Sequence, residues 1–203
     1  MSIDVSLFIA NLQKKGFKAR YVETAQNALE YLLKNIPENA SIGIGGSVSI
    51  QETGAYDALV KRGNDVYWHW QVPREKMFET REKANKADAY LCSANAASID
   101  GTFYNIDGAG NRVAAISYGK NPLFIVMSEN KIMPDEKTAM NRIKEIACPL
   151  NAKRLKLNTP CAITGKCTDC SSPDRFCNVT CILQRPTGGR EVHVIVVKEK
   201  LGF

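Results

Sequence analysis

The sequence predicts an α/β domain with a mainly parallel sheet flanked by helices, and three observations carry that prediction. Strand-like and helix-like segments alternate along most of the chain, the pattern of βαβ units covered on both faces. The run Leu123 to Met127 is continuously apolar, as expected for a strand buried on both sides. Ser41 to Ile44 reads as a short strand that runs into Gly45, Gly46 and Ser47 and then into a helix.

The elements follow in order. Val5, Phe8, Ile9 and Leu12 have helical spacing, and Gly16 stops that helix. Phe17, Ala19 and Tyr21 alternate as in a strand. Thr24 caps a second helix with the stripe Ala25, Ala28, Leu29, Leu32 and Leu33, which Pro37 ends. After the strand at Ser41 to Ile44, a helix is expected from about Ser49 to Val60, and a strand from Asp65 to Trp70. Pro73 opens a polar helix to about Lys86, and Ala87 to Ser93 is strand-like. Gly101 to Gly119 reads as a hairpin that turns at Asp107-Gly108-Ala109-Gly110-Asn111, with Val113 to Ile116 as its second strand. Pro134 opens another helix, to about Ala147. Val192, Val194 and Val196 belong to a final strand. His69 reads as a strand histidine, and His193 as an outward-facing one.

A chain of 203 residues, 44% hydrophobic and 24% charged, suits a single folded domain over 1–203. It has no apolar run of roughly 18 residues, so no membrane span is expected. Asp4 stands where a secretory signal wants basic residues, so a cytoplasmic location is expected. The net charge of +6 is uneven. Lys137 to Phe203 holds 12 Lys and Arg against 5 Asp and Glu, a local +7. That excess implies a basic solvated face, an anion close by, or a partner surface.

Seven cysteines are present. Cys92 and Cys148 stand alone. Cys161, Cys167, Cys170, Cys177 and Cys181 fall within 21 residues, spaced x5, x2, x6 and x3. In a reducing compartment such spacing points to metal rather than disulfides. The segment 149–190 is too long to lie structureless in a compact domain, and a thiolate-bound metal would order it. Zinc ribbons pair two close C-x2–4-C motifs. Only one C-x2-C occurs here and no histidine joins it, which favours a [4Fe–4S] cluster, with zinc as the alternative. Cys161, Cys167, Cys170 and Cys177 are the expected ligands. Cys181, before Ile182 and Leu183, is the spare core thiol. Lys153, Arg154, Lys156, Lys166 and Arg175 would offset the cluster's negative charge and tune its potential.

Two further blocks carry candidate chemistry. Gly45, Gly46, Ser47 and Ser49 form a glycine turn leading into a helix, either an anion cradle or a plain tight turn. They match neither a Walker loop nor a dinucleotide fingerprint. Ser93 to Arg112 gathers Asn95, Asp100, Thr102, Asn105, Asp107, Asn111 and Arg112 near the end of a predicted strand. Asp100 and Asp107 are candidate bases. Asn95 and Asn105 would fix carbonyl groups, and Arg112 would clamp a carboxylate. The competing reading is turn chemistry at two Asp-Gly pairs. Glu52 follows the glycine turn and is positioned for the same pocket.

These blocks, Gly43 to Gly54, Ala87 to Asn95, Asp100-Gly101-Thr102, Asn105 to Gly108 and Gly110 to Ala115, resemble the LUD domain, the LutC-like lactate-utilization family. The resemblance implies a NagB/RpiA/CoA-transferase-like fold, an oxidoreductase role alongside iron–sulfur redox partner proteins, and a homodimer. The tail Thr159 to Asn178 resembles a short branch of the family that carries a C-terminal cysteine motif. Related folds transfer CoA through a glutamate, but no Glu occurs between Asn95 and Arg112, which leaves Glu52 alone for that part. Three functions follow in order: an iron–sulfur redox protein acting on a small anionic metabolite such as lactate or another hydroxy acid; an isomerase or transferase with a structural metal; and a nucleic-acid-binding module. The last is disfavoured because only Phe176 and Phe203 supply aromatic rings beyond Lys137.

Overall fold

The computed structural model describes residues 3–203. In chain order the elements are α1 Val5–Lys14, β1 Lys18–Val22, α2 Ala25–Asn35, β2 Ile42–Ile44, α3 Val48–Glu52, α4 Ala55–Arg62, β3 Val66–Trp68, α5 Met77–Lys86, β4 Ala89–Cys92, β5 Ala96–Ser98, β6 Thr102–Asp107, α6 Asn111–Ser117, β7 Leu123–Ser128, β8 Ile132–Met133, α7 Glu136–Arg142, α8 Cys148–Arg154, α9 Pro160–Thr164, β9 Val179–Leu183 and β10 Val192–Val197. A π-helical turn, Ile143–Ala147, joins α7 to α8. Among the described residues no helix is long and apolar enough to cross a membrane.

Six strands form one parallel sheet in the order β1-β10-β7-β4-β2-β3. β4, β7 and β10 are buried along their whole length. Their alternate residues feed two cores. Leu123, Ile125, Met127, Val192, Val194 and Val196 pack with Phe8 and Leu12 of α1, Ala84 of α5 and Ile116 of α6. Phe124, Val126, Ile195 and Val197 pack with Leu32 of α2, Ile50 of α3 and Leu59 of α4. Gly43 lets α5 lie directly on β2, because a Cβ there would come within 2.0 Å of the Ala84 carbonyl oxygen.

A second sheet, not foreseen in the sequence, has the order β8-β5-β6-β9 and is antiparallel at β5–β6 and β6–β9. One face adds Ala97, Phe103 and Leu183 to the α1 core. The other packs Ala96, Tyr104 and Ile106 against Ala139, Ile143 and Cys148. The hairpin expected over 101–119 is therefore corrected. β6 pairs with β5 and β9, and the segment after it is helix α6. Gly110 enters that helix in the left-handed region, at φ +80°, and the Asp107 carboxylate accepts the Val113 N–H at 3.0 Å. Together these cap a helix where a turn alone was read.

Two smaller corrections follow. The helix expected over 49–60 breaks at Thr53 and Gly54. The segment 149–190, expected to be ordered, holds most of α8 with α9 and β9. His193 is buried, not outward-facing: β10 is an interior strand, and the imidazole meets the Tyr31 hydroxyl at 2.9 Å.

Phe103 is fully buried, with its ring edge-on to Phe8 and Phe17 at 6.3 and 5.3 Å. It joins the second sheet to α1. Phe103→Ala is expected to destabilise the chain by about 3–5 kcal/mol, read as a lowered urea midpoint.

Candidate functional site

The parallel sheet delivers four carboxyl ends side by side, from β7, β4, β2 and β3. In open α/β sheets this edge is where ligands bind. Here it opens a cavity of about 560 Å³, within the ~300–1,000 Å³ usual for small-ligand sites. β2 leads into Gly46, Ser47 and Ser49, β3 into His69 and Trp70, and β4 into Ser93 and Asn95. The turn after β7 supplies Lys131.

Of the residues expected from the sequence, Gly46, Ser47, Ser49, Asn95, Asp107, Asn111 and Arg112 line this cavity. Gly45, Asn105 and Glu52 are not in its lining. A Cβ at Gly45 would meet Tyr90 and Arg112. The Asn105 side-chain oxygen accepts the Asn95 N–H at 3.2 Å. The Glu52 carboxylate accepts the Gly202 N–H at 2.6 Å. Asp100 and Thr102 are placed elsewhere. Asp100 pairs with Lys15 at 2.8 Å and accepts from Ser98 and Thr102, so these groups form a surface knot next to α1 rather than part of the cavity.

Arg112 does not act as a free carboxylate clamp. Its Nε and Nη2 donate to one Asp107 oxygen at 2.9 and 2.6 Å. Nη2 also reaches the Asn95 side-chain oxygen and the Ile106 carbonyl, each at 3.0 Å. The other Asp107 oxygen holds Val113. Both partners are buried, and their bonds leave the pair as scaffold rather than as base and clamp. Asn95 is locked as well, because its side-chain oxygen also accepts the Ile106 N–H at 2.9 Å.

The groups facing the cavity with spare chemistry were not foreseen. Lys131 is 3% exposed and donates to Ser49 Oγ at 2.7 Å. The Arg154 guanidinium lies 4.3 Å over the Trp70 ring. The buried Arg81 Nε and His69 Nδ1 have no hydrogen-bond partner among the described residues, which is costly unless a ligand supplies one. Burial, followed by the Arg81 charge, pushes the His69 pKa down to about 4. With Asp107 committed to Arg112, the cavity has an excess of positive charge suited to a small anion.

A second cavity, of about 180 Å³, is lined by Cys148, Cys161, Cys167, Cys170 and Cys177. The expected four thiols therefore face one space. The fifth there is Cys148, which the sequence left isolated. Cys181 lies on β9 with its sulfur 3.4 Å from Ser117 Oγ, outside this lining. The Cys148 and Cys177 sulfurs are 3.7 Å apart. Sharing a proton pulls Cys177 down to about 7, helped by Arg175, and pushes Cys148 up. Lys144 and Arg175 also line this space. Arg175 donates to the Cys170 and Cys177 carbonyls at 2.6 and 3.2 Å. Of the other expected counter-charges, Lys153, Lys156 and Lys166 are not in this lining, and Arg154 faces the larger cavity. Among the described residues no group of three or more His, Cys, Asp or Glu side chains is arranged to hold a single metal ion. The donor set itself suits a thiophilic centre: five thiols around one small space, one held near thiolate, with two cations beside them.

Two stability predictions follow. Asp107→Asn removes the carboxylate from a buried pair and is expected to cost about 3–5 kcal/mol, measured by urea denaturation. The folded state resists protonating His69, whereas the unfolded chain protonates it at its ordinary value. Stability should therefore fall as pH drops from 6.5 towards 4. The urea midpoint of His69→Gln should depend less on pH over that window.

The comparisons agree with this architecture. The family model of the LUD domain matches residues 5–197. The fold is similar to that of a DUF162 family protein of Deinococcus radiodurans solved by crystallography, with a TM-score of 0.58 at 16% identity over 95% of each chain. No curated protein matches the chain. With the family model spanning nearly its whole length, the chain belongs to the LUD domain family.

Proposed function

We propose that this LUD-domain chain is an iron–sulfur redox protein that acts on a small anionic metabolite, with lactate or another hydroxy acid as the substrate class. The observation carrying this reading is that the two cavities meet. Cys148 and Ile106 line both, so the thiol-lined space and the cationic pocket share a wall.

A [4Fe–4S] cluster held by Cys161, Cys167, Cys170 and Cys177 would supply one-electron transfer beside the pocket, and the two electrons of a hydroxy acid's oxidation would have to leave singly through it to a redox partner protein. The chain's own residues do the rest. Arg175 and Lys144 offset the negative charge of thiolate ligands. Arg81, Arg154 and Lys131 attract the anion, and Trp70 with Phe203 narrows the space available to water. The Asp107–Arg112–Asn95 network fixes the wall against which the metabolite is oriented.

The test is oxygen-free purification of the full chain with iron, sulfide and zinc analysis. The expected result is a brown protein with about four iron and four sulfide per chain and absorbance near 400 nm that bleaches with dithionite. Cys177→Ser should lose that absorbance, whereas Cys181→Ser should keep it. Colourless protein with stoichiometric zinc overturns the redox reading in favour of a structural metal.

A further inference from the structure

We propose that Lys131 anchors the metabolite's carboxylate, and that the anion's arrival brings a proton onto the Lys131 amine. This rests on reading the larger cavity as an anion pocket, and it names the group that holds the anion and the chemistry of the hold.

The argument begins with which cations are already committed. Arg112 is paired with Asp107. Arg142, also buried, gives Nη1 and Nε to the Asn95 and Asn130 carbonyls at 2.7 and 3.2 Å and stands outside the cavity lining. Arg154 sits on Trp70 and donates to the Asn151 side chain at 2.9 Å. Lys131 differs. Its Nζ meets only hydroxyls, Ser49 Oγ at 2.7 Å and Ser93 Oγ at 3.5 Å, and pairs with no carboxylate among the described residues. The nearby Glu52 is turned to the Gly202 N–H instead. A lysine held this deep without a counter-charge is costly as an ammonium, and an incoming carboxylate would remove that cost.

The surroundings of Lys131 set its resting state. Arg142 from α7 and Arg112 from α6 face it with like charge, and Glu52 from α3 with opposite charge. Ser49 from α3 and Ser93 after β4 complete its contacts. Burial first, and the two arginines next, push its pKa down to about 7. A bound carboxylate favours the ammonium and restores the higher value. The ammonium is then the charged donor to the anion. The Ser49 and Ser93 hydroxyls beside it accept from Lys131 and give their own protons to the Leu201 and Ala94 carbonyls, each at 3.3 Å, so a hydroxyl joins the cup only by turning from its carbonyl. That cup suits a single carboxylate at the back wall, and the rest of the metabolite would extend towards Arg81, Arg154 and Cys148.

The sign of the pH dependence follows. Above pH 7 the empty site has lost its proton and must regain one on binding, so affinity falls as pH rises, by about tenfold per unit.

The test is calorimetric titration of the full, anaerobically purified chain with L-lactate and with pyruvate. Tris and triethanolamine buffers, whose ionisation enthalpies differ, count the protons taken up. At pH 8 the expected uptake approaches one proton per anion. Lys131→Met should bind at least about tenfold more weakly and without pH dependence. Lys131→Arg, always charged, should restore binding while remaining insensitive to pH. Wild-type binding without proton uptake overturns the proposal and leaves the anion pocket standing. The same holds if Lys131→Met binds within twofold of wild type. Failure of the wild type to bind either acid at millimolar concentration overturns the pocket reading and this proposal together. These readouts need no turnover and no loaded metal centre, so they separate the pocket from the redox reading.

Discussion

The buried pairing of Asp107 with Arg112 is the contact on which the site's geometry depends. Asp107 ends β6, Arg112 opens α6, and the guanidinium also holds the Asn95 side chain between β4 and β5. One carboxylate therefore caps a helix, neutralises a cation and ties the second sheet to the carboxyl edge of the first. Such a pair adds little net stability compared with a well-packed apolar replacement, and its value lies in specifying one arrangement. Here it specifies where the second sheet sits, and with it β9 and the cysteine-bearing segment that β9 anchors through its pairing with β6.

That constraint also divides labour among the charges. Arg112 is tied to a carboxylate and Arg142 is bonded to two carbonyls outside the cavity lining, so both serve as structure. In the proposed reading, recognition falls to the cations that face the cavity: Lys131 at the back, and Arg81 and Arg154 near the aromatic side. On the other side of the shared wall the balance is reversed. Thiols that become thiolates make their own negative charge, and Arg175 and Lys144 stand beside them. Of the twelve Lys and Arg from Lys137 onward, Arg154 faces the larger cavity and Lys144 and Arg175 the smaller one.

Much of the fold was legible because its signals are local. Thr24 caps α2 through the Asn27 N–H, the apolar run after Pro122 is β7, and the glycine turn after β2 reaches the cavity as its composition suggests. Failures came where local signals were ambiguous or the partner was distant. Val113 to Ile116 is apolar in either a strand or a helix, and only the Asp107 carboxylate decides between them. Asp100 and Thr102 lie close in sequence to the site, but the β5–β6 turn carries them to Lys15. Lys131 reads in sequence as one surface lysine among many, because nothing local records that it is buried. Cys181 lies within the cysteine run, but its strand pairing takes it out of the shared cavity.

Cys148 shows how a local irregularity can position a distant group. α7, the π turn and α8 form one continuous helical run, and Ala139, Ile143, Cys148 and Ala152 are all buried along it. The first and last steps of that stripe are four residues, as in an α-helix, but the middle step is five. Pro149 supplies the cause. It has no N–H to offer the Glu145 carbonyl four residues back, and its ring crowds that carbonyl. The chain accommodates this by widening one turn, the kind of π-bulge frequent at functional sites. The widened turn keeps Cys148 on the buried stripe, where Ile143 and Ile106 pack with it in one core and its sulfur meets Cys177. Ala147, buried beside it, lines only the larger cavity, so Cys148 is the residue of this run that carries a thiol into the wall between the two.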